Sequence, residues 1–175
     1  MVLPVSVEEA RAQLRADSED QDEEINDFIR DAADWVEGYT GQILEARDVH
    51  EYFSGFRPVA LRAWPIAPNA VPVVSYIGSD GQPVIVNGVR LTAINRPARV
   101  GSSLGPFWPF VDSKQTFKVT VRAGYESPND VPRSLCRAML VLIGAYDADR
   151  EGGDILAKAE ETARRLCRRL KRHTL

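Results

Sequence analysis

An α+β fold, mainly a bundle of about four helices with an antiparallel β region inserted between the second and third, is what this 175-residue sequence predicts. Three observations lead there. Three stretches repeat their apolar residues at the helical spacing of i, i+3, i+4 and i+7. Between about residues 46 and 123 that period gives way to short runs of β-branched and aromatic residues broken by Gly and Pro. The most apolar stretch of all, VPRSLCRAMLVLIGAY at Val131–Tyr146, is wide enough in its apolar arc to require cover on several sides.

The first helix is expected at about 7–15. Ser6 and Glu9 have capping-box spacing, in which hydroxyl and carboxylate each satisfy a free backbone N–H. Its apolar face, Val7, Ala10 and Leu14, is thin, so it needs tertiary support. The second helix, about 21–40, places Ile25, Phe28, Ile29, Ala32, Trp35, Val36 and Tyr39 on one arc of roughly 120°. Glu23, Asp27, Asp31, Asp34 and Glu37 stand opposite, and Thr40-Gly41 supplies the stop, with Gly41 suited to the left-handed conformation. ARDVHEYF, PVALR, VPVVSYI, PVIV and FKVTVRA then read as strands. Asp80-Gly81 reads as a type I′ hairpin turn, in which both central residues take positive φ. The segment 95–115 has no usable period and is expected to be a long loop, a length that points to binding or assembly.

The third helix is expected at about 131–149, with Pro132 in its first position and Asp130 as its cap. Gly144 inside it suggests close approach by another backbone, since a mid-helix Gly otherwise costs up to about 1 kcal/mol. Gly152-Gly153 breaks the chain, and Asp154 is expected to cap a last helix at about 154–172. There Ile155, Leu156, Ala159, Ala163, Leu166, Cys167 and Leu170 share an arc, opposite Arg164, Arg165, Arg168, Arg169 and Arg172. Residues 1–175 are thus expected to form one domain.

The net charge of −3 hides a division along the chain. Residues 8–37 hold twelve acidic against three basic side chains, whereas residues 133–175 hold ten basic against six acidic. Such a split suggests complementary surfaces, within one subunit or between neighbours. No run approaches the roughly 18 apolar residues of a membrane span, and no signal peptide is evident, so a cytoplasmic site of synthesis is the default expectation. Cys136 and Cys167 lack CxxC spacing and histidine neighbours, and read as buried free thiols.

Chemistry has one literal foothold. Gly101-Ser102-Ser103-Leu104-Gly105 matches the G-x-S-x-G nucleophile pattern, followed by Asp112 and His173 in hydrolase order. The elbow needs a helix directly after the serine, and Pro106 and Pro109 oppose one. His50 reads as a surface or packing residue of a strand. No cofactor or metal motif is present in the sequence, and an enzyme is not expected. The arginine-rich last helix allows a second reading, an accessory protein that binds nucleic acid by neutralising phosphates, although the chain as a whole is acidic.

Four words in order carry a resemblance: Val5–Leu14 (VSVEEARAQL), Val36–Gly41 (VEGYTG), Val119–Tyr125 (VTVRAGY) and Val131-Pro132-Arg133 opening the apolar helix that ends Ala145-Tyr146. Together they resemble the head-tail connector (adaptor, head-completion) proteins of long-tailed phages and gene transfer agents. The resemblance implies a ring of twelve copies beneath the portal protein, extending the DNA channel and offering its far face to a stopper or tail-completion protein. It implies residence in the host cytoplasm during assembly and afterwards in the particle neck, with at most non-specific contact with passing DNA. It also implies a C-terminal arm that reaches the portal, which would give Arg164, Arg165, Arg168, Arg169, Lys171 and Arg172 that contact. No catalytic residue, cofactor or membrane contact comes with it. Asp27, Asp31 and Asp34 are then expected either at the contact between copies or along the channel, where negative charge would keep DNA from sticking.

Overall fold

Val131–Tyr146 lies almost wholly within a helix, α3 (Arg133–Ala148), in which Leu135, Ala138, Met139, Leu142 and Ile143 are fully buried. In this computed structural model, which describes residues 3–16, 19–55, 58–103, 115–149 and 151–171, three further helices pack on α3. They are α1 (Val7–Leu14), α2 (Asp22–Thr40) and α4 (Asp154–Cys167), the last tightening into a 3₁₀ turn at Arg168–Leu170. Two compact units result: residues 1–45 with 125–175 form the helical one, and residues 46–124 form the β-rich one. The fold class is the α+β arrangement expected from the sequence.

In the helical unit the caps follow local chemistry, with two corrections. The Ser6–Glu9 box is made in both directions: Glu9 N–H donates to Ser6 Oγ at 3.1 Å and Ser6 N–H to Glu9 Oε2 at 3.0 Å. Gly41 ends α2 at φ 62°, its N–H donating to the Glu37 carbonyl. Asp130, by contrast, does not cap α3. Pro132 is itself the capping residue, accepting the Leu135 N–H at 2.8 Å, and Asp130 sits two positions too early, in a 3₁₀ turn capped by Ser127. Asp154 likewise does not cap α4 but is its first residue. Asp149 reaches forward instead, and its Oδ2 accepts the N–H groups of Ile155 and Leu156 at 3.1 and 3.2 Å.

Gly144 does not mark a backbone approach. A Cβ added there would meet only the tip of Gln13, whose Nε2 would be 4.0 Å away. The core of the unit gathers Ile25, Ile29, Val36, Leu135, Met139, Leu142, Ile143, Ala163 and Cys167, among others. Ile155, placed on the apolar arc of α4 by spacing, is 52% exposed because it lies in the first turn of α4, before the helix's buried residues Ala163 and Cys167. Gln42, just past α2, is only 3% exposed and fully engaged. Its Nε2 donates to the Leu170 carbonyl at 3.0 Å, its Oε1 accepts from Tyr125 Oη at 2.5 Å, and its N–H donates to Thr40 Oγ1 at 3.1 Å.

Among the described residues the β-rich unit holds seven strands in two antiparallel sheets. The first, in the order β1 (Arg47–Ser54), β7 (Thr116–Ala123), β3 (Val73–Ile77), β4 (Pro83–Val86), is centred on β7, where Phe117, Val119, Val121 and Ala123 alternate inward. The second runs β2 (Val59–Ala60), β6 (Arg99–Ser102), β5 (Val89–Thr92). Val59 and Val100 from the second sheet, with Leu61 and Ala98 flanking its strands, share one core with Val74, Val86, Phe117, Val119 and Val121 from the first.

Two expectations are corrected here. Residues 95–115 are not one loop, because β6 occupies Arg99–Ser102, while 104–114 lie outside the described residues. The β3–β4 hairpin is not type I′. Gly81 has φ 77° but Asp80 does not take positive φ, and Gly81 N–H donates to the Gly78 carbonyl at 3.0 Å. That is a three-residue connection, a type I turn followed by a left-handed glycine, with Asp80 Oδ1 accepting the Gln82 N–H at 3.0 Å.

Candidate functional site

The long acidic helix α2 and the basic end of α4 are the two charged surfaces that the sequence singles out. On α2, Asp27, Asp31 and Asp34 are all exposed, one or two turns apart, so they form a solvent-facing row. Asp27 accepts from Arg30 Nη1 at 2.9 Å, an exposed i,i+3 pair of small energetic weight. Asp31 lies close enough to Tyr146 of α3 to act on it. Burial first, then the charges of Asp31 and of Glu160 on α4, push the Tyr146 phenol up to about 12. Glu37, read from spacing as part of the acidic face, is committed to the fold, its Oε1 accepting the Leu44 N–H at 2.7 Å.

The basic face of α4 is less free than its spacing suggests. Arg164 donates to Glu160 at 2.6 Å and its guanidinium lies 5.9 Å from the centre of the Trp35 ring. Arg165 donates to Glu161 at 3.1 Å. Lys171 Nζ stands 4.4 Å from the centre of the Tyr39 ring, which itself stacks on Trp35. These cation–π contacts hold α4 and its 3₁₀ extension to the aromatic edge of α2. Trp35 and Tyr39, which the spacing places on the apolar arc of α2, are half-buried against the core, and long cationic side chains from α4 and its 3₁₀ extension cover them. Arg168 and Arg169, in the 3₁₀ turn, are exposed. Arg172 lies outside the described residues.

Ser103 follows β6, and its N–H closes the β5–β6 hairpin onto the Gly88 carbonyl at 2.7 Å. Asp112 and His173, its presumed partners in hydrolase order, lie outside the described residues. His50 is exposed on β1, with Nδ1 3.0 Å from Thr120 Oγ1. Cys136 and Cys167 are free thiols, half-buried and buried; burial raises both, Cys167 to about 11, so neither is poised as a thiolate. Among the described residues no group of His, Cys, Asp and Glu could hold a metal ion, and no helix is long and apolar enough to cross a membrane. The geometry therefore offers charged surfaces for contact.

Comparison with known proteins gives those surfaces a context. Residues 4–61 match the Phage gp6-like head-tail connector protein family. The match begins before α1, takes in all of α2 and ends in the β-rich unit, so it covers two of the four words on which the resemblance rests. Solved structures share the fold over nearly the whole chain. A subunit from the neck of an empty gene transfer agent particle, computed with C6 symmetry, superposes with a TM-score of 0.81 at 22% identity, covering 98% of this chain and 91% of that one. A subunit from the neck of the native particle, computed with C12 symmetry, gives 0.76 at 22% identity, covering 97% and 89%. One from the virion of the native particle gives 0.72 at 23% identity, covering 100% and 95%. No curated protein matches the chain.

Proposed function

We propose that this protein is a structural head-tail connector. Copies of it form a ring, twelve in the assembled particle, beneath the portal protein. The ring extends the DNA channel and offers its far face to a stopper or tail-completion protein. The observation that carries this reading is the whole-length fit to a particle-neck subunit, 98% of the chain at a TM-score of 0.81, joined to the family match over residues 4–61. A fold held at 22% identity retains its packing rather than its surface, so the partners are inferred from the surfaces themselves.

The exposed guanidinium groups of Arg165, Arg168 and Arg169 support a portal contact, with Arg172 continuing the same arm in sequence. Arg164 and Lys171 contribute by fastening that arm to Trp35 and Tyr39. The other reading, a nucleic-acid accessory protein acting through the last helix, is weakened because the chain as a whole is acidic, with a net charge of −3. Deleting the gene from a particle-producing strain should leave DNA-filled heads and free tails that do not join, as seen by electron microscopy. Tailed particles in normal number would refute the proposal. In a portal pull-down, Arg165→Glu, Arg168→Glu and Arg169→Glu together should release the protein at moderate salt.

A further inference from the structure

The strand register of the second sheet brings two arginines to one face. Arg90 on β5 stands opposite Gly101 on β6, and Thr92 stands opposite Arg99. Arg90 and Arg99 are therefore diagonal cross-strand neighbours, roughly 7–8 Å apart at the backbone. Val100 and Leu91, which point the other way, pack in the core. Gly101 leaves the space opposite Arg90 open, with Pro58 of the adjoining β2 segment 3.8 Å from where its Cβ would stand. The result is an open cleft of about 410 Å³ whose rim carries Arg90, Thr92, Arg99 and Ser103, all exposed.

Neither arginine forms an ion pair with a carboxylate among the described residues, in contrast to Arg164 and Arg165. Two like charges on one sheet face repel each other, so an anion from outside the chain is the natural complement. Guanidinium forks and hydroxyl donors suit phosphate oxygens. Pro58 is the one exposed apolar residue of the lining. The cleft thus lacks the buried apolar anchor that a protein partner would use. Duplex DNA carries about one charge per 1.7 Å of its axis, so both guanidinium groups would find phosphates.

We propose that Arg90 and Arg99, across the floor formed by Gly101, are a contact site for the phosphodiester backbone of double-stranded DNA. The site touches DNA without reading its sequence. Its source of DNA in the particle rests on the connector reading above. The test needs only the full-length chain and free DNA, so its failure leaves that reading standing.

The probe is a fluorescently labelled duplex of mixed sequence, with binding followed by anisotropy across a salt series. Arg90→Ala with Arg99→Ala should lower the slope of log affinity against log salt by about 1.8, from roughly 0.9 for each phosphate contact. The paired Lys variant should keep the slope, and circular dichroism should show all variants folded. An unchanged slope, or no duplex binding by the wild type at low salt, would overturn the site. So would loss of binding with Arg168→Ala and Arg169→Ala while the Arg90/Arg99 variant binds normally. Inorganic phosphate that competes far better than chloride at equal ionic strength would make it a small-anion site. Capture of polyglutamate in place of the duplex would make it a protein contact. Either result would also refute the proposal.

Discussion

Asp149 shows how one carboxylate can start a helix from outside it. The N–H groups of Gly153 and Leu156, followed by those of Ile155 and Gly152, hold its carboxyl below the usual carboxylate range. The Ile155 and Leu156 N–H groups lie in the first turn of α4, where the helix dipole also favours an anion. A depressed carboxyl pKa contributes stability that is present above the unfolded value of 3.8 and lost as pH falls through the folded one. Asp149→Asn should therefore lower the melting temperature at neutral pH, and the difference from wild type should close in acid. A constant difference across that range would show that packing, not charge, is at stake. Two glycines predict opposite signs. Gly144→Ala, with only the Gln13 tip nearby, should raise stability by up to about 1 kcal/mol in denaturant unfolding. Gly81→Ala, at φ 77°, should lower it by about 1 kcal/mol or more.

At the scale of elements, legibility followed the number of residues that repeat a pattern. α2 was visible because its buried residues Ile25, Ile29, Ala32 and Val36 keep helical spacing over about three turns. β7 was visible because Phe117, Val119, Val121 and Ala123 alternate. β5 and β6 span four residues each, VRLT and RVGS, and four positions are too few to establish a period, the more so in β6 where one is a glycine. The arginine cleft was hidden with them, since only the pairing of Arg90 with Gly101 brings its parts together. The acidic and basic helix faces were legible as charge, but not the Glu160 and Glu161 pairs or the aromatic contacts that use part of that charge. Gln42 was invisible for another reason: nothing in a lone glutamine announces burial. It joins two words of the family resemblance, lying just after Gly41 and bonding to Tyr125. Gln42→Leu should cost about 1–3 kcal/mol, the penalty for losing a buried amide that accepts from the Tyr125 hydroxyl and donates to the Leu170 carbonyl. An unfolding midpoint equal to that of wild type would mean that water replaces the amide at no loss.

For the whole molecule, a closed ring requires two different faces of each copy to meet, one on each neighbour. The helical unit presents an exposed acidic row, Asp27, Asp31 and Asp34, and an exposed basic group, Arg165, Arg168 and Arg169. An exposed ion pair contributes only about 0.2–1 kcal/mol, so no single substitution should decide assembly, but three together, repeated around a ring, should. If the two groups meet between neighbours, in place of the arginines meeting the portal, Asp27→Lys, Asp31→Lys and Asp34→Lys in one chain should abolish rings seen by electron microscopy at high protein concentration. Arg165→Glu, Arg168→Glu and Arg169→Glu should do the same. Combining both sets in one chain reverses every pair and should restore rings, and all of these effects should shrink as salt screens the charges. If the acidic row lines the channel instead, its reversal leaves the rings intact and makes them retain DNA at low salt. Intact rings with both triple variants would remove these faces from the contact between copies.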